Sequence, residues 1–239
     1  MKFGGGNFYC SLGFTLAEVL ITLGIIGIVA AMTIPTLMTK IQKRKLETQL
    51  KETYSVIQQT MKAAEGDGAN FQTAFQDGSN EAMKEWFEEF IQPHLKTESV
   101  CYNKAGCWHK KGEAKLLNGA LQNWEQQSGW GINTITFTIA KGAWFNMDGH
   151  SVSRCNSMFG IDTNTQCLVI YFDINGADKP NILGKDIYTV VQTEKGLLPA
   201  GSDRTKAQVN QNCNTGDGHF CLQKVINDSF TISEKVLKR

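Results

Sequence analysis

The sequence has almost no net charge. Its 239 residues contain 24 Lys and Arg against 23 Asp and Glu, a formal net charge of +1. A dedicated nucleic-acid binder with a broad basic face is therefore not supported, because phosphate contacts require an excess of Lys and Arg. Intrinsic disorder is also a poor interpretation for a chain with 41% hydrophobic and 20% charged residues. The length favours one large domain with an appendage.

Common catalytic motifs are missing. The sequence contains no G-x-S-x-G, H-E-x-x-H, G-x-x-x-x-G-K-[ST] or G-x-G-x-x-G, which are the signatures of several hydrolases, zinc proteases and nucleotide-binding enzymes. Histidine is scarce, and we expect the few that occur to lie in turns or on the surface. The sequence therefore predicts no catalytic residue and a protein that is not an enzyme. The four histidines are His94, His109, His150 and His219.

Charge is scarcest in one apolar run, Phe14 to Met38, where Glu18 is the single charged side chain among 25 residues. As a helix the run is about 37 Å long, enough to cross a hydrocarbon core of about 30 Å with some tilt. A cleaved secretory signal has a shorter apolar region behind several basic residues, whereas only Lys2 precedes this run. A soluble core helix would have a polar face. The run therefore predicts a membrane span, which Pro35 is expected to kink or locally melt.

The segment GFTLAEVLITLGIIGIVAAMTIP, residues 13–35, resembles the N-terminal cleavage and methylation segment of type IV pilins and type II secretion pseudopilins. In that family a peptidase cuts after a Gly, the new N-terminal residue is methylated, and a Glu lies four residues further on. The resemblance implies cleavage after Gly13, methylation of Phe14 and an assembly role for Glu18. It makes residues 1–13 a leader and residues 14–38 a transmembrane and filament-core helix.

The resemblance also implies partners and a location. The partners are a prepilin peptidase that is also the N-methylase, other pilin or pseudopilin subunits, an inner-membrane assembly platform and membrane lipid, with no nucleic acid among them. The chain is expected to cross the bacterial cytoplasmic membrane once, with its head outside the cytoplasm. It would then assemble into a periplasmic or cell-surface filament as a structural subunit.

Glu18 has two interpretations. A carboxylate in an apolar helix is costly unless it is paired, protonated or close to the interface. Cleavage would create an ammonium group at Phe14, and a neighbouring subunit can bring that amine to Glu18. Alternatively, Glu18 reaches the membrane surface from its own helix. The alternative function is a membrane-anchored extracytoplasmic binding or hydrolytic protein with an uncleaved signal anchor, which has no use for Gly13 or Glu18.

Four basic residues follow the run and create a conflict over topology. The positive-inside rule places such residues in the cytoplasm, whereas the cysteines further along the chain favour an oxidising compartment. We expect the head outside the cytoplasm, because local charge does not govern the translocation of a long domain. The basic residues then contact lipid headgroups or solvent. They are Lys40, Lys43, Arg44 and Lys45.

Residues 39–239 are expected to form a pilin-like head, so that the α+β fold is a long N-terminal helix packed on an antiparallel β-sheet with disulfide-stapled loops. An apolar stripe predicts an amphipathic helix over 39–65, which extends the span to a helix of about fifty residues. Residues 66–130 form a variable region with a helix over 113–124. Residues 131–239 hold the sheet and C-terminal loops, with a hairpin turn at Asp148-Gly149. The stripe consists of Leu46, Leu50, Tyr54, Ile57, Met61 and Ala64.

Cysteine spacing indicates disulfides. Of seven cysteines, Cys10 lies in the predicted leader, and the remaining six include no C-x-x-C and no His at metal-ligand spacing, so zinc and thioredoxin-like sites are disfavoured. Fifteen pairings of six cysteines are possible, and the spacings favour three local loops. The disulfide candidates are Cys101, Cys107, Cys155, Cys167, Cys213 and Cys221.

A second segment, DINGADKPN followed by GKD, resembles a strand-end segment of many pseudopilin-like heads. Its side-chain oxygens are of the kind that Ca²⁺ prefers, so calcium is the one cofactor considered. It is not an EF-hand loop, because the Gly comes too early and no Glu closes the loop. The alternative is that Asp and Asn satisfy their own backbone in turns. The candidate ligands are Asp173, Asn175, Asp178 and Asp186.

Overall fold

The computed structural model describes residues 14–76, 80–102, 104, 107–110, 112–121, 134–140 and 142–233. The chain divides into two compact units, with the boundary between Gln42 and Lys43. Its first helix, α1 (Leu16–Gly66), has 51 residues, which confirms the predicted helix of about fifty residues. By length and composition α1 can cross a membrane, and it is the single such helix in the described part of the chain. A signal sequence or a core helix of a soluble protein meets the same criteria.

Pro35 lies inside α1, and the helix continues through it. The expected local melting at this position is therefore wrong. Proline removes one backbone donor, but the helical turns on both sides of Pro35 keep their backbone hydrogen bonds. Threonine hydroxyls in the preceding turn donate further hydrogen bonds to backbone carbonyl oxygens. Thr33 Oγ1, for example, donates to the carbonyl oxygen of Val29 at 2.9 Å.

The head combines short helices with a six-stranded sheet, which makes the described chain α+β. Between α1 and the sheet lie α2 (Phe71–Gln76), α3 (Asn80–Trp86), a π-helical turn (Phe87–Ile91) and a 3₁₀ turn (Gln92–His94). The strands are β1 (Thr97–Tyr102), β2 (Thr134–Ile139), β3 (Trp144–His150), β4 (Cys167–Asp173), β5 (Ile187–Thr193) and β6 (Gly196–Pro199). The remaining helices are α4 (Val152–Ser157), α5 (Lys206–Thr215) and α6 (Cys221–Asn227).

The sheet is a simple meander in which each strand pairs antiparallel with the next, in the order β1 to β6. Strands β4 and β5 are buried on both faces, because separate apolar clusters cover the two sides. Side chains such as Ile170 and Val190 join the cluster that contains the stripe of α1. Alternate side chains such as Val169 and Val191 join a second cluster with Phe159. The predicted stripe is confirmed, since Leu46 is partly buried and its other five members are buried.

Two local predictions are wrong. Asp148-Gly149 is not a hairpin turn but part of β3, where it pairs with β4. Gly149 is needed for packing, because a Cβ on it would lie 2.9 Å from Phe75 Cβ. The helix expected over 113–124 is absent from the described part of that range, residues 113–121. Backbone groups there bond to distant segments instead: Lys115 N–H donates to Asn181 O, so helical pairing is replaced by tertiary pairing.

Six cysteines form three disulfides, and each disulfide joins two cysteines that follow one another in the chain. The pairs are Cys101 with Cys107, Cys155 with Cys167, and Cys213 with Cys221. Cys10 lies outside the described residues. The disulfides tie the loop after β1, the helix before β4 and the two C-terminal helices to their surroundings.

We expect all six of these cysteines to resist alkylation in freshly isolated native protein. Reduction should then make the head sensitive to protease, because losing a native disulfide costs about 2 to 5 kcal/mol. Mass spectrometry after alkylation with and without reductant checks this. Recovery of several alkylated cysteines without reductant would place the head in a reducing compartment.

Candidate functional site

The start of α1 holds the predicted assembly residue in a local hydrogen-bond network. Glu18 Oε2 accepts from Thr15 N–H at 2.9 Å and from Thr15 Oγ1 at 2.8 Å. In return Glu18 N–H donates to Thr15 Oγ1 at 3.2 Å. This is a capping box, which satisfies backbone donors at a helix N-terminus. Its T-x-x-E signature is present in the sequence, so this role of Thr15 was predictable.

Beyond Glu18 the apolar side chains of α1 are exposed as far as Met38, except for the half-buried Ala30. No residue of its most apolar 18-residue window is buried, and Phe14 at the start is 88% exposed. Gly24 and Gly27 have open space where a Cβ would lie, with no atom within 4 Å in the described chain. Their small size leaves room for another helix to approach closely. Gly13, the predicted cleavage residue, lies outside the described residues.

The four calcium candidates lie on one loop but differ in environment. Asp173 and Asp186 are buried, at 0% and 1% exposure, whereas Asp178 is exposed. Asp186 accepts from the backbone N–H groups of Asn181 at 2.7 Å and Ile182 at 2.6 Å. Asn175 Nδ2 donates to the carbonyl oxygen of Asp178 at 2.9 Å. Among the described residues, no three His, Cys, Asp or Glu side chains are grouped so as to hold a metal ion; calcium stays a prediction.

Asp173 joins this loop to the segment after Cys107. Its Oδ1 accepts from Asn175 N–H at 3.0 Å, and its Oδ2 lies 2.9 Å from His109 Nε2. His109 also stacks on Trp144, with ring centroids 5.3 Å apart. Both His109 and Asp173 are buried, so the surface position expected for His109 is wrong. Burial raises the pKa of Asp173, opposed by its hydrogen bond to His109.

A second buried polar group lies on the same face of the sheet, towards the other end of β3. Asp148 Oδ2 is 3.4 Å from His150 Nε2, and the ring of Phe159 lies between His150 and His219, with centroids 5.0 and 5.2 Å away. Burial raises the pKa of Asp148 to about 8 and lowers the pKa of His150 to about 4. Burial also lowers the pKa of His219. His219 lies in a turn as expected but is buried there, and His150 is half-buried at the end of β3 instead of lying in a turn. The Asp-Gly signals before the two histidines did not reveal these environments.

These buried groups predict that the head loses stability above about pH 6.5. Burial and the charge of Asp173 raise the pKa of Asp186 to about 7, and burial raises that of Asp148 to about 8, against an ordinary value of 3.8. The folded state therefore binds more protons than the unfolded state up to about pH 8, and its stability falls as pH rises. Below pH 6.5 the lowered pKa values of His150 and His219 oppose this trend. Between pH 6.5 and 8 the opposition from the histidines fades as they lose their protons in the unfolded state, and the acids remove about 2 kcal/mol.

Thermal unfolding of the full chain in detergent, followed by near-ultraviolet circular dichroism at several pH values, measures this loss. Asp148→Asn should remove more than half of it, since an amide cannot titrate and Asp148 titrates over the wider part of this window. An unchanged pH dependence in Asp148→Asn would show that this carboxyl is ionised in the folded head.

The described residues thus bring Glu18 together with Thr15, and Asp173 together with Asn175, Asp186 and His109. The contacts of His109 and the burial of His109 and His219 had no local sequence signal. No family model, curated protein or solved structure matches the chain.

Proposed function

We propose that this chain is a non-enzymatic structural subunit, a prepilin or pseudopilin that is processed by a prepilin peptidase and assembles into a type IV pilus or a secretion filament. Its proposed location before assembly is the bacterial cytoplasmic membrane, with a single span and the head outside the cytoplasm. The proposed partners are the peptidase, other pilin-type subunits, the assembly platform and lipid.

One observation carries the proposal: the first part of α1 exposes apolar side chains on every side, with one carboxylate at its start. Such a surface must be covered, because exposing apolar area to water costs about 25 cal/mol per Å². Lipid can cover it in the membrane, and the same helices of other copies can cover it in a filament. A chain that is only anchored in the membrane needs lipid to cover this surface and has no need of other copies.

The position of Glu18 supports coverage of this helix by other copies in a filament. Glu18 is held by its own helix end through Thr15, so the isolated subunit tolerates it without a partner. In a filament, the free amine of a neighbouring processed chain would offer Glu18 a full positive charge. The carboxylate would then contribute more to assembly than to the monomer.

The three local disulfides support an extracytoplasmic head. Such bonds persist in oxidising compartments and are rare in the cytosol. The same disulfides would also suit a secreted binding protein, so they support the location and not the filament.

Processing tests the proposal. In cells that carry a prepilin peptidase, the mature chain should begin at a methylated Phe14, because the small Gly13 precedes the point where the apolar run begins. Intact-mass analysis of membrane-extracted protein measures this. Gly13→Val should block cleavage, whereas the matched Gly6→Val should not. A wild-type chain that keeps residues 1–13 in these cells would favour the anchored binding or hydrolytic protein.

A further inference from the structure

Three cations that closely follow the apolar run of α1 have no ion pair among the residues that the structure describes. Lys40, Arg44 and Lys45 are exposed, and none of them takes part in the ion pairs of those residues. Their basic neighbours are engaged. Lys43 Nζ lies 3.8 Å from Glu47 Oε1, and Lys51 Nζ lies 5.3 Å from the ring centroid of Phe230.

The three cations point in different directions around the helix. At 3.6 residues per turn, Arg44 lies about 40° and Lys45 about 140° from Lys40 around the axis. A surface for one protein partner would lie on a single stripe. A charge distribution over more than a third of the circumference instead suits a partner that surrounds the helix, as a layer of lipid headgroups does.

Their position along the chain fits the same partner. The cations begin two residues after the apolar run ends at Met38, and no acidic residue occurs from Val19 to Leu46. Residues 40–45 extend over about 7.5 Å of helix. This length corresponds to the headgroup layer of one leaflet, about 5 to 8 Å thick.

We propose that Lys40, Arg44 and Lys45 form a basic collar that binds the anionic headgroups of phospholipids where α1 leaves the bilayer. The inference rests on the membrane-inserted subunit proposed above, but not on the filament. Cations next to a span attract anionic lipids electrostatically, and added salt weakens the attraction. The collar would hold the subunit at a fixed depth before assembly.

The test measures which lipids surround the full chain. The protein is reconstituted into phosphatidylcholine vesicles with a minor fraction of phosphatidylglycerol, and is then excised in polymer-bounded discs together with its nearest lipids. Mass spectrometry gives the lipid ratio in the discs relative to the bulk vesicle. We expect phosphatidylglycerol to be enriched at least about threefold around the wild type. High salt should reduce the enrichment.

The variant Lys40→Gln/Arg44→Gln/Lys45→Gln should abolish the enrichment. The matched control Lys62→Gln/Lys96→Gln/Lys206→Gln changes the net charge equally, at exposed positions of the head, and should keep it. Circular dichroism establishes that both variants fold. No enrichment in the wild type, or equal enrichment in both variants, would overturn the collar. The collar would also be overturned if its triple variant changed self-association of the chain in neutral lipid but left the lipid ratio in the discs unchanged. Filament assays are separate, so failure of the filament proposal remains distinguishable.

Discussion

Glu18→Gln is expected to reduce the filament fraction at least about tenfold, with membrane insertion and head disulfides unchanged. The glutamine can still accept a hydrogen bond from Thr15 N–H, because Gln also completes a capping box. The substitution therefore removes the charge and keeps the helix end. A pairing between a desolvated charge and its partner is worth several kcal/mol when one member is deleted, which predicts the large loss.

The measurement compares membrane-bound with sheared or surface-exposed protein at matched expression. Glu52→Gln is the matched control, since Glu52 lies on the same helix outside the apolar run and is exposed; it should assemble normally. Thr15→Val tests the cap separately, because it removes the hydroxyl that Glu18 contacts and leaves the charge. Equal filament fractions for wild type and Glu18→Gln would remove the proposed role of Glu18 and favour a plain anchor.

Asp186→Ala is expected to destabilise the head by about 3 to 5 kcal/mol, because the substitution leaves two backbone N–H groups, one buried and one half-buried, without their carboxylate acceptor. These are the groups of Asn181 and Ile182. Asp178→Ala is the control: Asp178 is exposed and contributes backbone atoms to the loop, so its loss should change stability by less than about 0.5 kcal/mol. Thermal unfolding of the full chain in detergent gives both values.

The same pair of variants separates the two interpretations of the loop. If the carboxylates serve the backbone, millimolar CaCl₂ and EDTA should leave the unfolding temperature of the wild type unchanged. If the loop holds Ca²⁺, calcium should raise the unfolding temperature of the wild type, because a ligand that binds only the folded state stabilises it. Asp178→Ala should then reduce that increase. Asp186→Asn keeps one acceptor and serves if Asp186→Ala does not fold.

The extent of α1 was predictable because its signals are long. An apolar run without interruption and a stripe from Leu46 to Ala64 both have many members, so single exceptions do not disturb the pattern. Pro35 is such an exception, and the helix continues through it. The strands β4 and β5 were predictable for the same reason, since each is a run of apolar or β-branched residues buried on both faces.

The buried polar groups were not predictable, because tertiary packing decides them. Asp148-Gly149 has the composition of a turn, yet it pairs with β4 as part of a strand, and Phe75 packs closely against Gly149. The partner of Asp173 lies 64 residues away at His109, and no local spacing connects the two. Asp186 has a local pattern, but that pattern fits a metal ligand and a backbone acceptor equally well.

The meander order of the sheet has a consequence for how the head is made. Each strand bonds to the strand that precedes it in the chain, and the disulfides link cysteines only 6, 12 and 8 residues apart. A polypeptide threaded through a translocation channel from its N-terminal side can therefore fold vectorially. Each arriving strand finds its partner already in place, and each cysteine pair can oxidise before the next one emerges. The short loops that these disulfides close cost little entropy. Because each strand pairs with the one before it, the free edge of the growing sheet is open to wrong pairing with another emerging chain only until the next strand arrives.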